Sequence, residues 1–184
     1  MGGGKKEKIL KEIVEIEYSM FLKMNTSSEE CRKSPEAFRL NREARFFPLS
    51  TQTLSSYLDD LLRAEVEGRN LLTEKYARIE GLIPPLQENP VIHKIVEIES
   101  EWIKELSEEY PELFSRNPEK FRTYLACELE TFSEKTLRLY FIDVKSAREK
   151  GINLAEESYK YLFKKSGFSS FEEVRKRLKN KERG

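Results

Sequence analysis

The chain reads as one helical unit written twice. IVEIE stands at Ile13–Glu17 and again at Ile95–Glu99, 82 residues on, and after a one-residue slip the correspondence continues at an offset of 83. Between 35–76 and 118–159, PEAFR meets PEKFR, STQTLSSYLDD meets SEKTLRLYFID, and AEVEGRNL meets AREKGINL, with 15 of 42 positions identical. Self-similarity of this kind marks an internal repeat, and a repeat restricts the fold to two copies of one unit packed on each other.

Composition says what the unit is made of. Thirty of the 33 acidic residues are glutamate, and only Asp59, Asp60 and Asp143 are aspartate. Glutamate supports helix whereas aspartate favours caps and turns, and no segment alternates as a strand would. Ser34-Pro35 and Asn117-Pro118 read as N-caps followed by proline in the first turn, and Ser50 and Ser133 as caps of the next helix. Gly68 and Gly151 end those helices, and Asn70 and Asn153 cap the ones that follow. The spacing predicts helices over 5–24, 35–46, 50–67 and 70–81, then 90–109, 118–131, 133–150 and 153–165, with a ninth opening at a Ser169–Glu172 capping box. The expected fold is all-α: a tandem internal duplication of a four-helix unit, packed as one pseudo-twofold helical domain plus a C-terminal helix. Its expected divisions are a flexible tail (1–8), repeat 1 (9–82), a linker (83–90), repeat 2 (91–168) and a C-terminal helix and tail (169–184).

Charge and cysteine narrow the function. With 33 basic and 33 acidic residues the net charge is zero, which gives no global electrostatic reason to expect nucleic acid or an acidic membrane as partner. No apolar run approaches the roughly 18 residues of a membrane span. Cys31 and Cys127 are too few for a disulfide framework and lack a metal-binding spacing, so the cytoplasm is the expected compartment.

The repeat also singles out polar residues. In the first helix Leu10, Ile13, Val14, Met20, Phe21 and Met24 form one apolar stripe with Glu17 in its middle and Glu15 facing away. Glu99 recurs in the same setting among Ile92, Ile95, Val96, Trp102, Ile103 and Leu106. A carboxylate on an apolar stripe is costly unless paired. Identical positions of the third helix include Thr53, Tyr57, Asp60 and Ala64, matched by Thr136, Tyr140, Asp143 and Ala147, and the spacing puts each set on one face. The one basic residue kept in both copies is Arg39, matched by Arg122.

Two readings of this set stand side by side. In one, Glu17 with Arg39 and Glu99 with Arg122 are buried ion pairs, completed by Tyr57, Asp60, Tyr140 and Asp143 as a polar network or ligand site. In the other, Glu17, Asp60, Glu99 and Asp143 converge around the pseudo-twofold axis as a carboxylate site for magnesium or manganese. A third candidate lies where the copies disagree: Arg69, Lys75 and Arg78 face Ile152, Ser158 and Tyr161 across the repeat and could bind an anion near a helix start. His93 is the single histidine, which argues against a histidine-rich metal site or a Ser-His-Asp triad, and it reads as a surface residue. Trp102 and Cys127 read as core.

At IVEIEYSMF, LSSYLDDLLRAEVEGRNLLTEKYARIE, FRTYLACELETFSEKTLRLY and GINLAEE the chain resembles an uncharacterised prokaryotic family, the domain of unknown function numbered four-one-two-five, with EGRNLLTEKYAR its most specific stretch. The likeness covers nearly the whole chain, departing at Tyr18, where tryptophan is common, and in a shorter middle linker. It implies a helical domain and no established activity or catalytic residues. The expected function is a ligand- or protein-binding accessory module, with an unidentified protein or small molecule as partner. The alternative is a magnesium- or manganese-dependent hydrolase acting on a phosphate-containing small molecule through the paired carboxylates.

Overall fold

The computed structural model describes residues 3–24, 34–114 and 117–181; Cys31 lies outside them. Among the described residues there are nine α-helices and no strand: α1 (Gly3–Leu22), α2 (Pro35–Phe46), α3 (Thr51–Val66), α4 (Leu71–Ile79), α5 (Pro90–Glu109), α6 (Pro118–Leu129), α7 (Glu134–Glu149), α8 (Leu154–Lys165) and α9 (Phe171–Lys181).

Their ends follow local chemistry. Ser50 Oγ accepts from the Thr53 N–H and Ser133 Oγ from the Thr136 N–H, each at 3.2 Å, while Asn70 and Asn153 cap α4 and α8. Such caps contribute about 1 kcal/mol each. Gly68 and Gly151 have φ of 69° and 67°, and the next N–H in each case, Arg69 or Ile152, closes back onto Ala64 or Ala147. A side chain at either glycine would strain this left-handed closure.

Three boundaries differ from the sequence expectation. Residues 3–8 are not a tail but the first turns of α1, because Lys5 to Lys8 are good helix formers and Ile9 and Leu10 anchor the helix in the core. Ser34 makes no side-chain cap; proline at the first turn presets the backbone without it. The box at α9 is displaced by one residue: Ser170 Oγ accepts from the Glu173 N–H, and the Glu173 carboxylate accepts from the N–H and hydroxyl of Ser169.

Packing is reciprocal between the first four and the second four helices. α1 lies on α2, α3 and α4, and α5 on α6, α7 and α8. The two sets interlock, since α3 packs on α7, α2 on α8 and α6 on α4. One core runs through both, with Ile13, Leu54, Leu61, Ile95, Leu129 and Leu137 sealed from solvent. Each such side chain contributes about 1.5–3 kcal/mol on burial. A smaller aromatic cluster of Phe114, Phe171, Tyr159 and Phe163 holds α9 against α8. No helix of the described residues is long and apolar enough to cross a membrane.

Candidate functional site

The apolar stripe of α1 carries Glu17 into the core, where it is wholly buried, and leaves Glu15 exposed. The arginine that meets Glu17 is Arg42, not Arg39. Arg42 Nε and Nη2 grip the Glu17 carboxylate at 2.7 and 2.8 Å, and the Tyr57 hydroxyl donates to Glu17 Oε1 at 2.7 Å. Arg39, one helical turn nearer solvent, forks onto Glu15 at 2.8 and 3.0 Å and lies 3.9 Å over the Tyr18 ring. Glu99 is likewise not paired with Arg122: it accepts from the Tyr140 hydroxyl, and its cation is Arg45, with Nη1 at 3.4 Å.

A third carboxylate, absent from the sequence reading, joins the two halves. Glu128 of α6 is buried and receives Arg42 Nη2 at 2.7 Å, Arg45 Nε at 3.3 Å and Lys75 Nζ at 3.4 Å. Burial alone would favour its neutral form, but the fields of Arg42, Lys75 and Arg45 override that and hold its carboxyl far below the usual carboxylate range. Lys75, also buried, donates to the Tyr124 hydroxyl at 2.9 Å. Its pKa is lowered, first by burial and then by Arg42, against the opposing pull of Glu128. Tyr57, Tyr124 and Tyr140 all have phenol pKa values raised, chiefly by burial. The cluster therefore holds Glu17, Glu99 and Glu128 against Arg42, Arg45 and Lys75, three charges of each sign.

Asp60 and Asp143 serve a different purpose. Asp60 Oδ2 accepts from the Ser133 N–H at 2.9 Å and the Thr136 hydroxyl at 2.6 Å, and Asp143 Oδ2 accepts from the Ser50 N–H and the Thr53 hydroxyl at the same two distances. Each aspartate thus caps the helix of the opposite half, where the free N–H groups and the helix dipole favour a negative charge. The carboxylate tetrad of Glu17, Asp60, Glu99 and Asp143 does not assemble, and no group of three or more Asp, Glu, His or Cys among the described residues is placed to hold a metal ion. Nor do Arg69, Lys75 and Arg78 form an anion site. Arg69 forks onto Glu74, Lys75 is buried on Glu128, and Arg78 forks onto Glu130 at 2.7 and 3.1 Å. His93 is exposed.

Beside the charge cluster, between α2, α5, α6 and α8, lies a cavity of about 280 Å³. Arg45 and Glu99 form its polar wall with Asn41 and Tyr124, and Ile103, Leu125 and Leu154 part of its apolar one. Arg45 Nη2 is enclosed and has no hydrogen-bond partner, although 24% of the side chain as a whole is exposed. An enclosed donor without an acceptor costs about 1–3 kcal/mol, and this one is sealed behind the cavity wall rather than presented to it. The space has a filled counterpart at the positions 83 residues away. Lys75, Tyr124 and Glu128 fill the α4–α6 contact, and the residues 83 positions away from them, Ser158, Asn41 and Arg45, all line the cavity at the α8–α2 contact. Where one contact has a long lysine, the other has a short serine.

Arg42, Arg45 and Glu128 do not stand out in the sequence because none is kept at its corresponding position 83 residues away. Position 125 is leucine where 42 is arginine, and positions 45 and 128 are a charge reversal. The reversal was itself a usable signal: an arginine and a glutamate at corresponding positions can pair if the two segments pack together, and here Arg45 Nε and Glu128 Oε2 are 3.3 Å apart.

The chain belongs to the family described as protein of unknown function, DUF4125, which matches residues 7–176. No curated protein and no solved structure matches it.

Proposed function

We propose that this protein is a small-molecule-binding accessory module whose site is the cavity between α2, α5, α6 and α8. We further propose that it arose by tandem duplication of a four-helix unit, residues 9–82 and 91–168 joined at 83–90. The internal sequence identity, the reciprocal packing and the exchanged aspartate caps support the duplication. The observation behind the binding reading is the mostly apolar hollow itself, with Asn41, Arg45, Glu99 and Tyr124 as the few polar side chains on one wall. A few fixed polar groups in an otherwise apolar concavity are what small-ligand sites usually contain. The volume of about 280 Å³ suits a molecule somewhat smaller than a typical drug.

The hydrolase alternative draws no support from the geometry, because Asp60 and Asp143 are occupied as helix caps and Glu17 is saturated by Arg42 and Tyr57. Titration of 1-hexanol followed by amide NMR tests the binding reading. Saturable shifts at 41–49, 99–103 and 154–162 that disappear in a Ser158→Leu variant are expected. Shifts scattered over the surface, or unchanged by the filled cavity, would place the site elsewhere.

A further inference from the structure

The three glutamates of the charge cluster are not equally satisfied. Both oxygens of Glu17 and both of Glu128 accept hydrogen bonds, and so does Glu99 Oε1, from Tyr140. Among the described residues Glu99 Oε2 has in their place one ion-pair contact, with Arg45 Nη1 at 3.4 Å. That oxygen is not sealed. Arg45 Nη2 is the one enclosed side-chain nitrogen or oxygen without a hydrogen bond among the described residues, so Glu99 Oε2, which lacks one too, keeps accessible surface. Glu99 is otherwise packed in the core, and its open side is the wall of the hollow. Neighbouring polar groups of that wall turn their donors inward. Asn41 Nδ2 donates to the Ala37 carbonyl at 2.7 Å, Ser158 Oγ to the Leu154 carbonyl at 3.1 Å, and Arg42 to Glu17 and Glu128. The group left to a ligand is an acceptor, and a charged one.

We infer that the hollow takes a hydroxyl compound, an aliphatic alcohol or a phenol, whose O–H donates to Glu99 Oε2 and whose apolar body lies against Leu49, Ile103, Leu125 and Leu162. The inference rests on the hollow's being the ligand site, and it specifies the group that the site recognises. A hydroxyl suits this wall because its single donor meets the single open carboxylate oxygen, whereas an ammonium brings three N–H groups and a second positive charge beside Arg45. An ether of the same size gains no such bond. It also covers Glu99 Oε2 and leaves it unmet, so the penalty on the wrong ligand adds to the bond made by the right one.

1-Hexanol and methyl pentyl ether are isomers of nearly equal length that differ in whether the oxygen carries a proton, so comparing them isolates the donor. Titrations at neutral pH followed by amide NMR should give saturable shifts at 41–49, 99–103 and 154–162 with 1-hexanol, at an affinity about tenfold or more above that of the ether. Glu99→Gln, which replaces the charged acceptor by a neutral amide, should bring the two affinities within a factor of about three. Equal affinities in the natural protein, or a preference for the ether, would overturn the inference and leave the hollow as a binding site. A preference for 1-hexanol that survives undiminished in Glu99→Gln would overturn the assignment to Glu99. No saturable shift with either ligand would overturn the reading of the hollow as the ligand site. If Glu99→Gln fails to fold, the ratio of the two affinities in the natural protein still decides the inference.

Discussion

The two halves of this protein bury the same glutamate in different ways. Glu17 lies in a closed setting: a forked arginine on both oxygens, a tyrosine hydroxyl, and no exposure. Glu99 has the equivalent tyrosine, Tyr140, but its arginine stands off at 3.4 Å and opens onto a cavity. The helices above them differ in the same sense. α4 buries Leu71, Leu72 and Lys75, whereas no residue of α8 is fully buried. The first half is closed around its glutamate, whereas the second leaves a space beside its own.

The comparison is broken most forcefully at the residue both halves share. Glu128→Gln leaves Arg42, Arg45 and Lys75 in excess and should cost about 3–5 kcal/mol of stability at neutral pH by urea denaturation. Because the Glu128 carboxyl is held below its ordinary value of 4.5, its contribution is complete above that pH and is lost as the pH falls below it. The gap between natural and variant protein should therefore narrow on acidification, and a constant gap from pH 7 to pH 3 would contradict the pairing.

Glu17→Gln and Glu99→Gln sharpen the contrast. The first breaks a forked buried pair and should cost about 3–5 kcal/mol, while the second removes a longer contact and should cost about 1–3 kcal/mol. Equal losses would mean that the long Arg45–Glu99 approach is as strong as the short Arg42–Glu17 fork. At the aspartate caps the halves should behave alike. Asp60→Ala and Asp143→Ala are each expected to lose about 1–3 kcal/mol, and a difference above about 1 kcal/mol would show that the exchanged caps are not equivalent.

The smallest effect is the most specific to the cavity. Ser158→Leu, which puts apolar bulk where Lys75 stands in the other half, should raise stability by about 1 kcal/mol or less, read as a small rise in urea midpoint. A clear loss would mean that the space is too narrow for the added side chain.

Much of the architecture was legible before any coordinates. Helix positions came from periodicity and from residues whose local chemistry acts alone: Ser50, Ser133, Asn70 and Asn153 as caps, Gly68 and Gly151 as left-handed ends. The inward turn of Glu17 and Glu99 was legible for the same reason, since a stripe at helical spacing needs no knowledge of its partner. The α9 box slipped by one residue because Glu172 and Glu173 offer the same side chain at adjacent positions, and only the start of the helix at Phe171 chooses between them.

What the amino-acid sequence determined by itself was thus the set of helices, most of their ends and the two glutamates that face inward. Tertiary structure decided who meets those glutamates. Arg42 rather than Arg39 reaches Glu17, Glu128 enters from 86 residues away to join Arg42, and Asp60 and Asp143 cross to cap the opposite half instead of gathering around a metal. The physical reason is range. Caps and stripes are settled by neighbours within a turn or two of the chain, whereas charge pairing depends on depth and angle between packed helices, where one turn of α2 separates an arginine at the solvent rim from one in the core.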